Sequence, residues 1–346
     1  MSFCNVLLGA VLLAAALPAH AQVQGAGATF PSKVYERWAH TYEKTSGVRI
    51  AYQPTGSGDG LKQISSRAVQ FAGSDTPLPA QELARRKLVQ VPTLVGGIVP
   101  VVHLPGIGDG QLQLTGELLA DIMAGRVPSW SDARIAALNP SLKLPSLPIK
   151  RVVRADKSGT TEGFTRYLAG ASPAFKAAVG AGQLPAWPGE VMRAEGNDGV
   201  VQALRKAQGA IAYVSYDRVE RDRLAGVKLR NRAGNFVAAS EQGFRAAILQ
   251  SDLSRRGEDT ASLMDLPGPV TWPITMTTFV LIDAEPADGD SAGPVMRYLY
   301  WCFMHGDDLT RGTGFAPLPV SLQSRLAARF ASVKARSGGM IAYLSM

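Results

Sequence analysis

Cysteine is nearly absent from this chain: two in 346 residues, Cys4 and Cys302. No disulfide framework and no paired-thiolate metal site can be assembled from them. Histidine is almost as scarce, at four residues, and His40, His103 and His305 show no metal-ligand spacing. After Ala21 no apolar run reaches the roughly 20 residues that a membrane-crossing helix requires. There is no Gly-x-Ser-x-Gly elbow, so nothing supports a hydrolase of that kind. Internal repeats and low-complexity segments are missing as well, which argues against a solenoid or a disordered tail.

What is present is ample apolar material, 46% of residues, with 36 Lys and Arg against 28 Asp and Glu. A chain of this length has enough for one large core or two ordinary ones, and two lobes are the natural expectation. The net charge of +8 allows an acidic partner: nucleic acid, a membrane face or a small anion. Composition does not choose among them.

The first 21 residues read as a secretory leader. An apolar run from Val6 to Leu17 precedes Ala19-His20-Ala21, a small-x-small cleavage site, so cleavage is expected after Ala21. Cys4 lies before that run and cannot serve as a lipid anchor at the cleavage site. Cys302 is then the one cysteine of the mature chain, and it falls in the apolar helical pattern Val295 to Phe303 as a core residue.

Helical and strand patterns alternate, which points to an α/β fold. Pro31 opens a helix with Val34, Trp38 and Tyr42 on one face, and Gly47 closes it. Val48, Ile50 and Tyr52 alternate as a strand. Pro54 to Gly60 reads as a glycine-rich loop, Leu61 to Val69 as a helix, and Val69 to Ala72 as a strand that runs out at Gly73-Ser74-Asp75. Leu94 to His103 has the continuous apolar character of a buried strand. Ile149 to Val153 reads as a strand, Arg154 to Thr161 as a loop and Glu162 to Leu168 as a helix. Ala210 to Val214, Val227 to Leu229 and Ile274 to Ile282 read as further strands. His305, before Gly306, is expected at a helix C-terminus.

Three segments place glycine and hydroxyl residues where a loop enters a helix: Gly25 to Pro31, Thr55 to Gly60 and Arg154 to Thr161. A helix start leaves backbone N–H groups unpaired and carries partial positive charge. Glycine lets an anion approach that backbone, and Ser or Thr hydroxyls add donors. One such loop is ordinary capping; three, one beside an arginine, point to an oxyanion site. Neither nucleotide fingerprint fits, because Leu61, Lys62 and Gln63 stand where a Walker loop needs Gly, Lys and Ser or Thr. Leu61 also occupies the third glycine of a dinucleotide loop.

These segments, with Gly73-Ser74-Asp75, Gly196-Asn197-Asp198-Gly199, Gly209 to Val214 and Trp272-Pro273-Ile274-Thr275, resemble the phosphate-binding proteins of bacterial ABC phosphate importers, the PstS family. The resemblance runs in order over essentially the whole mature chain. It implies an α/β, two-lobed periplasmic solute-binding fold (type II) with hinge strands and the ligand cleft between the lobes. The implied division is a signal peptide at 1–21, lobe I at 22–103 plus 276–346, and lobe II at 104–275. It further implies a periplasmic, monomeric, non-catalytic protein without cofactor or metal. Its partners would be inorganic phosphate and the membrane permease subunits of an ABC importer, with no nucleic acid.

Position by position, the family pattern puts Thr29 and Phe30 on the anion, with Ser57 donating through its hydroxyl and N–H. From the other lobe Ser158, Gly159 and Thr160 donate around a helix start. Arg154 supplies charged donors, since a planar guanidinium meets two oxygens at once, and Asp156 orients it. Asp75 carries selectivity: phosphate keeps a proton to donate to a carboxylate near neutral pH, and sulfate has none. Taken singly, Asp75 is a turn residue, Arg154 a solvated strand end, and Ser57 and Ser158 are caps; only the combination reverses those readings.

Asp59 departs from the family's usual small residue, and the expectation is that it caps the helix starting near Leu61, facing away from the ligand. Residues 218–232 hold six basic and two acidic side chains and read as a solvated or docking face. The competing readings are a secreted phosphatase using the same pocket, a binder of sulfate, molybdate or another oxyanion, and a phosphate-binding-like protein serving adhesion, secretion or signalling.

Overall fold

A computed structural model describes residues 22–338 and 341–344; the expected leader and its cleavage site lie outside the described residues. The chain opens with β1 (Gln22–Gly27), α1 (Ser32–Ser46), β2 (Arg49–Gln53), α2 (Ser57–Ser65), β3 (Phe71–Ser74), α3 (Ala80–Arg86) and β4 (Leu88–His103). It continues through β5 (Gln113–Leu114), α4 (Gly116–Met123), α5 (Ala133–Leu138), β6 (Lys150–Arg154), α6 (Gly159–Ala171), α7 (Pro173–Ala178), β7 (Met192–Ala194), α8 (Gly196–Lys206), β8 (Ala210–Ser215) and α9 (Tyr216–Asp222). After β9 (Ala225–Gly226), β10 (Lys228–Arg230), β11 (Phe236–Val237), α10 (Glu241–Gln250) and α11 (Asp252–Arg255), it closes with β12 (Thr275–Asp283), α12 (Gly289–Thr310), β13 (Phe315–Pro317) and α13 (Val320–Phe330).

Two groups of strands share β4. Its first part, Leu88 to Gly97, pairs antiparallel with β12, beyond which lie β3, β1 and β2. Its second part, Ile98 to His103, pairs antiparallel with β8, beyond which lie β6 and β7. The partner changes between Gly97 and Ile98, so a single strand runs through both groups. The junction is pinned where β12 begins: the Ile98 N–H donates to Ile274 O at 2.9 Å, and the fully buried Trp272 indole donates to Ile98 O at 3.0 Å.

Strands consecutive in the chain are joined through helices, β1 to β2 by α1 and β2 to β3 by α2, with β1 pairing parallel to both. Such crossovers bring the C-terminal ends of the strands, and the starts of the helices that follow, to one edge of the sheet. β1, β2 and β3 deliver Thr29, Ser57 and Asp75 there. β6, β7 and β8 deliver Ser158, Asn197 and Asp217 from the second lobe.

Several elements differ from their sequence reading. Helix α2 begins at Ser57, four residues before Leu61, and α6 begins at Gly159, so both glycine-bearing segments are first helical turns. β4 extends six residues further back than Leu94, through Pro92. β3 covers Phe71–Ser74, two residues beyond the expected start. His305 sits inside α12, not at its end, because the helix continues through Gly306 against the Trp38 indole, which donates to Gly306 O at 3.2 Å. Cys302 is buried in α12 as expected. No helix among the described residues is long and apolar enough to cross a membrane.

Candidate functional site

Every sequence-nominated site residue is brought to the seam between the two lobes. Arg154, at the end of β6, is 1% exposed. Its Nε donates to Asp156 Oδ1 at 2.7 Å and its Nη2 to Asp156 Oδ2. That side-on pairing uses two of the five guanidinium donors. Nη1 is buried and has no partner. The far fork of the guanidinium is therefore the open one, and it is held in place by Asp156. Asp156 is fixed in turn by the Gly196 N–H at the start of α8, at 3.0 Å. Burial pushes the Asp156 carboxyl up, but Arg154's hydrogen bonds and charge, with the Gly196 N–H, hold it below the usual carboxylate range.

The start of α6 follows three residues later. Ser158 caps it, its Oγ accepting from the Thr161 N–H at 3.1 Å, and the hydroxyl proton remains available to donate. Gly159 and Thr160 carry first-turn amides that have no carbonyl within the helix. Ser57 Oγ opposes them from the first lobe and accepts from the Asp75 N–H at 3.2 Å. Like Ser158 Oγ, it accepts one backbone N–H, and its own proton lies within reach of the Asp75 carboxylate. The absent Cβ of Gly159 is what lets the lobes meet: a methyl there would stand 2.6 Å from Ser57 Oγ and 2.6 Å from Asp75 Cβ.

Asp75 is the acceptor among these donors. It follows β3 and is 7% exposed. Its Oδ1 accepts from Thr278 Oγ1 at 2.8 Å, and Thr160 Oγ1 stands 3.5 Å from its Oδ2. Burial pushes the carboxyl up to about 7, against the pull of the Thr278 hydroxyl, the Arg154 charge and the Thr160 and Ser57 hydroxyls. No cation touches it as Arg154 touches Asp156.

Thr29 and Phe30 lie in the turn that leads into α1, Thr29 half-buried and Phe30 buried against the Phe315 ring. The lobes are closed on each other by hydrogen bonds on both flanks of this cluster. The Gly58 N–H donates to Lys157 O at 3.1 Å, and Thr76 Oγ1 donates to Glu162 Oε2 at 2.8 Å. Asn197 Nδ2 reaches Thr29 Oγ1 at 3.4 Å. A cavity of about 410 Å³, lined by Thr29, Thr55, Asp156, Asn197, Asp217 and Arg218 among others, adjoins the cluster on the Thr29 side.

Asp59 is half-buried in the first turn of α2 and accepts from Gln63 Nε2 at 2.6 Å. It is not a cap, because the helix starts two residues before it, but it is occupied one turn along its own helix. The basic segment is not a uniform solvated face. Arg218 is buried, donates to Asp222 Oδ2 at 2.6 Å and pairs with Asp198.

Three structural partners carried no assigned role in the sequence. Tyr213, stacked on Phe164 at 4.2 Å, accepts from the Arg154 N–H at 3.3 Å and so backs the end of β6. Asn197 bridges to Thr29, and Thr278 holds Asp75. Tyr213 and Asn197 belong to the recognisable motifs; Thr278 lies in a plain β-rich run, where only the strand register could have paired it with Asp75.

The sequence matches the PBP superfamily domain over residues 14–303. It is 38% identical over 309 residues to the phosphate-binding protein PstS of Haemophilus influenzae, 89% of this chain and 92% of the relative. The phosphate-binding protein PstS of Xylella fastidiosa (strain Temecula1) is 37% identical over 311 residues, 90% of this chain and 85% of the relative. Among solved structures, a high affinity periplasmic phosphate-binding protein bound with phosphate aligns with a TM-score of 0.68, at 23% identity over 89% of this chain and 93% of its own. The phosphate binding protein from Stenotrophomonas maltophilia aligns with a TM-score of 0.66, at 21% identity over 89% and 93%. Both structural likenesses are likenesses of fold.

Proposed function

The chain belongs to the PstS family of phosphate-binding proteins, and from that premise we propose that it binds inorganic phosphate in the periplasm and delivers it to the permease subunits of an ABC-type importer. The observation that carries this reading is the pairing of opposites at the seam. A buried guanidinium nitrogen without a partner, two helix starts and the Ser57 and Ser158 hydroxyls surround one buried carboxylate. Such a shell takes an anion that accepts many hydrogen bonds and donates one. Phosphate near neutral pH is that anion.

The proposed shell is Thr29, Phe30, Ser57, Asp75, Arg154, Ser158, Gly159 and Thr160, with Asp156 holding Arg154 from behind. Arg154 meets two oxygens through its open fork. The N–H groups of α6 and the Ser158 hydroxyl serve the second-lobe side, and Ser57 with the Thr29–Phe30 amides serves the first. Asp75 accepts the ligand's proton. Sulfate would leave Asp75 facing an acceptor, which a site built around a required donor rejects strongly. Lobe I is taken as 22–103 with 276–346 and lobe II as 104–275, the passage between them lying along β4 and the start of β12. Lobe closure on the anion is the signal that the permease reads. The protein works as a monomer, after removal of residues 1–21, and performs no chemistry on its ligand.

Titration calorimetry of residues 22–346 with phosphate, sulfate and arsenate tests this directly. Phosphate and arsenate should bind, since both carry a proton, and sulfate should not compete. Failure of phosphate to bind, or release of product from a chromogenic phosphate ester, would overturn it.

A further inference from the structure

Thr278 lies on β12 and is fully buried; its hydroxyl meets Asp75 Oδ1 at 2.8 Å and, more weakly, Ser74 O at 3.4 Å. Its position follows from register. β12 runs antiparallel to β3 with Phe279 opposite Ser74, so the next residues along, Thr278 and Asp75, face each other across the strands. On its other edge β12 meets a bulge in β4: Thr278 pairs with Leu94 and Phe279 with Pro92, which leaves Thr93 unpaired. Thr93 turns its hydroxyl to Thr278 O at 3.3 Å and to the Tyr35 hydroxyl at 2.8 Å. The Thr278 backbone is thus held from behind while its side chain donates forward, to Asp75 Oδ1 at 2.8 Å.

We propose that Thr278 is the positioning residue that sets anion specificity: its hydroxyl occupies Asp75 Oδ1 and presents Oδ2 as the acceptor for a protonated oxyanion. This rests on the phosphate reading above. The groups facing Asp75 leave few substitutes for it. Arg154 comes from β6, Ser57 from α2, Thr160 and Glu162 from α6, Tyr35 from α1 and Tyr52 from β2. Burial holds the two tyrosine hydroxyls neutral well past neutrality. Arg154 spends its near fork on Asp156, and Glu162 accepts from Thr76 and from Arg166. Among these groups the Thr278 hydroxyl makes the shortest hydrogen bond to the Asp75 carboxylate. Of the influences that oppose burial and keep that carboxyl ionised, it is the largest.

Removing the hydroxyl alone therefore has a particular signature. Asp75 keeps its proton to higher pH, and a protonated carboxyl donates, which sulfate can accept and a proton-bearing phosphate does not need. Specificity falls while the donor shell stays intact.

The test is calorimetric titration of wild type, Thr278→Val and Thr278→Ser with phosphate and with sulfate at pH 6, 7, 8 and 9, alongside thermal melts. Valine keeps the branched shape of threonine; serine keeps the hydroxyl. The expected result is a phosphate-to-sulfate affinity ratio at pH 7 at least tenfold lower in Thr278→Val, recovering toward the wild-type ratio by pH 9. Thr278→Ser should stay within about threefold of wild type. Thr278→Ala replaces the valine variant if that one does not fold, with the same expected loss. An unchanged ratio in the hydroxyl-free variant overturns the proposal, as does an equal loss of both anions with no pH dependence. A wild type that does not bind phosphate overturns the functional reading instead.

Discussion

Two carboxylates on opposite sides of the cleft follow strands in much the same way and end in opposite states. Asp156, on the second lobe, takes two hydrogen bonds from Arg154 and one from the Gly196 N–H, and is held below the usual carboxylate range. Asp75, on the first lobe, is more deeply buried, meets only hydroxyls and a distant guanidinium, and is pushed up to about 7. The first has a permanent partner and acts as a bracket. The second has its charge only partly compensated, and that incompleteness is what a proton-bearing ligand completes. Across the cleft, then, the second lobe is a prearranged donor surface, and the first contributes the one group whose protonation state can report on the ligand.

The sharpest way to break this contrast is to remove its cation. Arg154→Ala should lower phosphate affinity at least a thousandfold by calorimetry, about 4 kcal/mol, since a buried charged donor is lost and Asp156 is left without its cation. Asp75→Asn attacks the other side. It should lower the phosphate-to-sulfate affinity ratio about a hundredfold, some 2.7 kcal/mol, while leaving the donor shell in place.

The same substitution exposes a linkage. The Asp75 carboxyl sits at about 7 in the folded protein, against about 3.9 in an unfolded chain. Between those values the folded state binds more protons, so this group's contribution to ligand-free stability declines as pH rises from about 4 through about 7. The melting temperature of Asp75→Asn should therefore gain on wild type from pH 4 to pH 8. For the same reason wild-type affinity for sulfate should strengthen from pH 8 to pH 5, as Asp75 becomes a donor.

Gly159→Ala tests whether the lobes meet as closely as they do here. A methyl group 2.6 Å from Ser57 Oγ and Asp75 Cβ should cost about thirtyfold in phosphate affinity by holding the cleft ajar, about 2 kcal/mol. Small-angle scattering with saturating phosphate should show an incompletely compacted molecule. The smallest effect belongs to Asp59. Because its carboxylate is taken by Gln63, Asp59→Gly should change phosphate affinity less than tenfold, under about 1.4 kcal/mol.

The strand-loop-helix units and the residues at their turns were readable because glycine and hydroxyl residues mark helix starts whatever the partner lobe does. Where helices begin was not. Ser57 to Gly60 and Gly159 to Thr161 look like loops by composition, yet each is a first helical turn; small residues there permit close approach across the cleft. The continuous apolar run begins at Leu94, yet the strand extends back through Pro92 to Leu88. Pro92 sits beside a bulge in β4, where the lost N–H is tolerated. Gly306 suggested a helix end near His305, but it serves as a packing notch for Trp38. Arg218 looked solvated because its partners Asp198 and Asp222 are set by tertiary contact. Thr278 left no local mark at all. Its role depends on which residue of β3 it faces, and register is a property of two strands together.

The central claim is that one buried carboxylate within a donor shell selects a protonated oxyanion. Equilibrium dialysis of the wild-type protein against labelled phosphate at pH 8, with sulfate as competitor, tests it most directly. Phosphate should remain bound at a ten-thousandfold excess of sulfate, a discrimination of about 5.5 kcal/mol. Displacement by a tenfold excess of sulfate would contradict it.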